Sequence, residues 1–88
     1  MRPIFTRPFV RDYQRLPAIR QEQFDKQMEL LLKNPRHPSL QARIVDTKRR
    51  IWKAKVNGGY RFTFQVRRDV AILRAIGAHG EMERPERW

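Results

Sequence analysis

Asn57-Gly58-Gly59 lies between two runs of alternating residues, and this arrangement constrains the fold more than any other feature of the chain. An Asn-Gly pair suits a tight turn because both residues tolerate backbone angles that other side chains resist. Before it, Ile51 to Val56 alternates, with Trp52, Ala54 and Val56 on one side and Lys53 and Lys55 on the other. After it, Tyr60 to Val66 alternates too. Tyr60, Phe62, Phe64 and Val66 face one way, and Arg61, Thr63 and Gln65 face the other. A period of two marks a strand with one face on a core. The chain must therefore contain an antiparallel hairpin with an aromatic inner face, which puts Trp52 and Tyr60 in the core rather than in a base-stacking platform. Arg67-Arg68-Asp69 predicts another turn, and Val70 to Ile76 is apolar enough for a central strand, which Gly77-Ala78-His79-Gly80 ends. Ile44-Val45-Asp46 predicts a further strand, and Ile4-Phe5-Thr6 a short one bracketed by Pro3 and Pro8.

Upstream of the strands the period changes to that of a helix. Phe9, Tyr13 and Leu16 make one apolar stripe, predicting a helix from Phe9 to Leu16 that Pro17 breaks. Ala18 to Lys33 is the longest helix, with Phe24, Met28, Leu31 and Leu32 inward and Lys26, Glu29 and Lys33 outward. Asn34-Pro35 ends it. His37, in the Pro-rich loop that follows, reads as a turn residue. The tail from Glu81 to Trp88 is polar, holds Pro85, and is expected to be loosely ordered. The fold class is α+β, a single domain over residues 1–88. Its two N-terminal helices pack on one face of a twisted antiparallel sheet of about four strands.

Composition then narrows the chemistry. There is no cysteine, so disulfides and thiolate nucleophiles are excluded. Two histidines with no cysteine predict no metal site, and nothing calls for a cofactor. Gly58-Gly59 is not followed by a phosphate-loop pattern, and Asp12, Asp25, Asp46 and Asp69 are too scattered for paired carboxylates. Apolar runs are short, so no membrane span is expected, and the basic N-terminus does not read as a signal peptide. The expected location is the cytoplasm. Twenty Lys and Arg against nine acids leave a net charge of +11, which points to a polyanionic partner, RNA foremost, or to an acidic protein. Lys53, Lys55 and Arg61 fall on neighbouring strands, on the face away from the helices. Their mutual repulsion is a cost that a bound anion would offset.

Taken together, the ordered elements resemble the toxins of bacterial type II toxin–antitoxin systems in the RelE/ParE superfamily. The residues that carry the likeness are Phe9-Val10-Arg11-Asp12-Tyr13-Gln14-Arg15-Leu16-Pro17, Asn34-Pro35-Arg36-His37-Pro38-Ser39-Leu40, Trp52-Lys53-Ala54-Lys55-Val56-Asn57, Tyr60-Arg61-Phe62 and Ile76-Gly77-Ala78-His79. The resemblance implies the RelE-like fold and an acidic antitoxin as partner. For RelE-like members it implies the ribosome as the second partner, with cleavage of mRNA in the A site. That reaction is a metal-independent attack by a 2′-hydroxyl on the adjacent phosphorus. Arg61 matches a phosphate-stabilising arginine of the family nucleases, and His79 a histidine that moves protons. Lys53, Lys55, Arg43 and Arg67 are the candidate RNA- and phosphate-binding residues, with Lys48, Arg49 and Arg50 available for rRNA backbone. One position departs from the family pattern. Several nucleases carry Tyr or Asp beside the histidine, where this chain has Gly80. Two alternatives stand beside the nuclease: a ParE-like toxin that poisons DNA gyrase without cutting RNA, and a basic RNA-binding module without catalysis.

Overall fold

A computed structural model describes all 88 residues. The second helix, α2, runs Ala18–Lys33, as its apolar stripe dictates. The first, α1, runs Arg7–Gln14 and starts two residues earlier than its stripe. Thr6 is the reason. Its hydroxyl accepts the Phe9 N–H at 3.3 Å and caps the first turn, where Pro8 is tolerated. The same hydroxyl donates to the Leu73 carbonyl at 2.9 Å and ties α1 to the sheet.

Five strands form one sheet: β1 Arg2–Phe5, β2 Arg43–Asp46, β3 Ile51–Asn57, β4 Tyr60–Arg67 and β5 Val70–Ala78. Their order across the sheet is β1-β5-β4-β3-β2. The sheet is mixed rather than wholly antiparallel, because β1 pairs in parallel with β5, from Arg2 beside Val70 to Phe5 beside Leu73. The apolar run of β5 explains this: no residue from Val70 to Gly77 is exposed, and a strand so well covered takes a neighbour on each edge. β4 fills one edge and β1 the other. A bulge at Arg74 interrupts the β4–β5 register, which passes from Thr63 opposite Ala75 to Phe64 opposite Leu73.

The helices cover one face of the sheet. Phe9, Phe24, Leu31, Phe62, Phe64 and Leu73 are buried at the centre of this core. Aromatic rings run through it in series, Phe9 to Phe24 and Phe24 to Phe62 both at 5.1 Å between centroids. α2 is also pinned through Gln27, whose amide donates to the Lys55 carbonyl at 2.7 Å. Trp52 and Tyr60 do face this side but stay half-buried at the core margin. Val66, expected inside, is 37% exposed, since it lies at the end of β4 beyond the buried part of the strand.

The tail overturns its expectation. It forms two short 3-10 turns, Glu81–Glu83 and Pro85–Arg87, and lies on the second face of the sheet. Met82 is fully buried there, as are Ile51 and Ala75, all outside the main core. The tail is ordered because Met82 and Trp88 give a mostly polar segment two apolar anchors. No helix is long and apolar enough to cross a membrane.

Candidate functional site

The hairpin turn organises one end of the sheet. Asn57 Oδ1 accepts the N–H groups of Gly59 and Tyr60 at 2.7 and 2.9 Å and closes the turn. Arg61 Nη1 donates to the carbonyls of Asn57 at 2.6 Å and Tyr60 at 2.9 Å. Its Nε and Nη2 make no hydrogen bond, so part of the guanidinium fork is free for an anion. Lys55 stands directly opposite Arg61 on β3, and Gly77 opposite it on β5. His79 reaches the same turn through its backbone N–H, which donates to the Gly59 carbonyl at 2.8 Å. Its half-exposed ring has Nε2 3.1 Å from Glu83 Oε1. Arg61, Lys55 and His79 therefore gather round one turn.

Lys53 follows the expected parity but not the expected exposure. It is only 5% exposed, because the tail covers it. Its Nζ donates to the Met82 carbonyl at 3.3 Å and sits 5.9 Å from the centre of a Trp88 ring. Burial lowers its pKa, and the nearby Arg43 and Arg61 cations lower it further, against a smaller opposing pull from Glu83. Arg43 is exposed and directly opposite Lys53 on β2. Thr63, opposite Lys53 on β4, points away from the helices as expected, yet is fully buried. Its hydroxyl has no hydrogen-bond partner. Gln65 is buried on the same face and fully engaged, donating to the Arg49 carbonyl at 2.6 Å and accepting from Arg74 at 3.1 Å.

The tail is held at several polar points. Trp88 Nε1 donates to the Met82 carbonyl at 2.7 Å, and Arg74 Nε donates to the Trp88 carbonyl at 2.9 Å. Arg87 bridges Glu81 at 2.9 Å and Asp12 at 3.4 Å. Gly77 makes this approach possible, since any side chain there would run into the Glu81 carboxylate.

Arg67 stands apart from the other candidates. It lies six residues from Arg61 along β4, roughly 20 Å at the usual strand rise. His37 caps the 3-10 turn Pro38–Leu40 through Nδ1, which accepts the Ser39 N–H at 3.1 Å. No group of three or more His, Asp or Glu is placed to hold a metal ion. Glu83, Thr63 and Trp88 are the residues that the sequence reading missed. Only Glu83 had a usable signal, its four-residue spacing from His79.

No family model matches the chain, and no curated protein does either. Solved structures match over nearly its whole length. A YoeB/ParE toxin from Agrobacterium tumefaciens is 16% identical, with a TM-score of 0.76, covering 90% of this chain and 99% of that one. The isolated RelE toxin of E. coli is 20% identical, with a TM-score of 0.71, covering 93% and 92%. An archaeal RelE–RelB complex from Pyrococcus horikoshii is 18% identical, with a TM-score of 0.75, covering 90% and 94%. The chain is similar in fold to these toxins, and the RelE-like fold that the element order implied is the fold observed.

Proposed function

We propose that this chain is the toxin of a type II toxin–antitoxin pair and acts in the cytoplasm as a ribosome-dependent mRNA endonuclease. The observation that carries the reading is the gathering of Arg61, Lys55 and His79 round one turn of a RelE-like fold. In this reading the 2′-hydroxyl of a nucleotide attacks the adjacent phosphorus and the bond to the 5′-oxygen breaks. The products are a 2′,3′-cyclic phosphate and a 5′-hydroxyl. Arg61 offers its free N–H groups to the phosphoryl oxygens as charge builds on them. Lys55 and Arg43 add positive potential. His79 gives or takes the proton. Arg67, far along β4, serves RNA backbone rather than the reacting phosphate.

A cognate acidic antitoxin is the proposed protein partner. The net charge of +11 suits such a partner, and neighbouring structures include complexes of RelE with RelB. The gyrase reading has one observation in its favour: Arg61 already donates to two close turn carbonyls, which a purely structural arginine would also do. Mapping mRNA ends by primer extension after brief expression separates the two. Cuts inside codons are expected. Intact transcripts with broken DNA would assign the protein to gyrase.

A further inference from the structure

All three buried polar side chains of this protein, Lys53, Thr63 and Gln65, lie on one sheet face, and the eight-residue tail comes down on that face at Lys53 and Arg74. Gln65 is satisfied by its neighbours. Thr63 is not: its hydroxyl is fully buried and unpartnered, directly across from Lys53. A buried hydroxyl without a partner is costly, and a buried ammonium with one carbonyl partner is poorly solvated. A surface built only to be covered would carry apolar residues at both positions. The cover is small. Met82 and Trp88 anchor it, with polar ties from Arg74 to Trp88 and from Arg87 to Asp12, while Glu81, Glu83, Arg84, Pro85 and Glu86 are exposed.

We infer that the tail is a removable plug over a phosphodiester-binding site formed by Lys53 and Thr63, and that single-stranded RNA must displace it. This rests on the RNA reading of the preceding section. With the tail lifted, an ammonium, a hydroxyl donor and the Arg43 guanidinium stand on three adjoining strands, continuous with Arg61 and Lys55. That set fits a phosphoryl group, whose oxygens accept from all three. The tail satisfies the site in part by standing in for that ligand, presenting the Met82 carbonyl to Lys53 and the Glu83 carboxylate to His79. An acidic protein fits less well, because the floor beneath the tail is short of the apolar surface that buries the centre of a protein interface.

Trp88 reports on the plug. In a Trp52→Phe background it is the only tryptophan. A short 2′-O-methyl RNA, which lacks the attacking hydroxyl, is titrated into the full chain. Saturation is expected to shift Trp88 emission to the red as the ring becomes exposed. In the parent protein with both tryptophans, Trp88→Ala is expected to bind this RNA about tenfold tighter, as for a plug open about a tenth of the time. Thr63→Val is expected to bind it about threefold weaker, the loss of one hydrogen bond. Melting curves verify that each variant folds. Should Trp88→Ala not fold, Arg74→Met releases the Trp88 carbonyl and serves instead. An unchanged Trp88 emission, an affinity no tighter in the released variant, or a red shift with polyglutamate and none with RNA would each overturn the plug. Cleaved mRNA together with a silent Trp88 would remove the plug and leave the nuclease standing. A shifted Trp88 with uncut mRNA would do the reverse.

Discussion

Arg61 does two things, and a single substitution separates them. It ties the hairpin turn together through Nη1, and it leaves Nε and Nη2 without a hydrogen bond. Arg61→Ala is therefore expected to abolish cleavage and to lose about 1 kcal/mol of stability, read as a melting temperature lower by a few degrees. Primer extension on the folded variant checks the first effect and calorimetry the second. Full cleavage by this variant would remove Arg61 from the mechanism. Lys53 makes a pH prediction. Its folded pKa lies below the ordinary 10.5, so the unfolded chain holds the proton more tightly. The stability contributed by this group is lowest at pH values where it is protonated in both states. It rises with pH through the window from the lowered value up to 10.5. The stability of the wild-type protein minus that of Lys53→Met should increase across that alkaline range in paired melts. The side-chain parity of Lys53, Lys55 and Arg61 was legible in the sequence because strand alternation is local. The burial of Lys53 and Thr63 was not, because it depends on where a distant tail comes to rest.

At the scale of elements, Thr6 joins a helix to a strand 67 residues away. Thr6→Ala removes a cap and a cross-link together, and is expected to cost about 1–2 kcal/mol. Urea unfolding should show a lower midpoint with an unchanged slope, and no change would mean that the cap carries no stability. The elements themselves were largely legible. α2 has the bounds its stripe predicts, and the β3–β4 hairpin forms at Asn57-Gly58-Gly59. These depend on periodicity and turn chemistry, which short windows contain. β1 was legible as a strand, although it starts two residues and ends one residue earlier than Ile4-Phe5-Thr6, but its partner was not. Pairing with β5 is settled by which edge the helices leave open, and no local window records that. The bulge at Arg74 was hidden for the same reason.

On the whole molecule, charge is mostly unanswered. Of the twenty Lys and Arg, only Arg49 and Arg87 take part in ion pairs, while five of the nine acids are already engaged. Repulsion then outweighs attraction at the surface, and screening should relieve it. Raising sodium chloride from about 20 to 300 mM, which shortens the screening length to below about 10 Å, is expected to raise the melting temperature. A fall would mean that the few pairs matter more than the excess. The excess and its sign were plain from composition, and the local concentration round the hairpin turn followed from strand register. The parallel contact between β1 and β5 has a further consequence, in time rather than in space. The hairpin closes a short loop and can form within about 1–10 μs, whereas β1 must wait for residues 70–73 and close a loop of about three quarters of the chain. Docking of the first strand is thus a late event, after the rate-limiting barrier. In stopped-flow kinetics an Ile4→Ala chain should fold at the parental rate and unfold faster, so that β1 is the last strand to be secured and the first to let go.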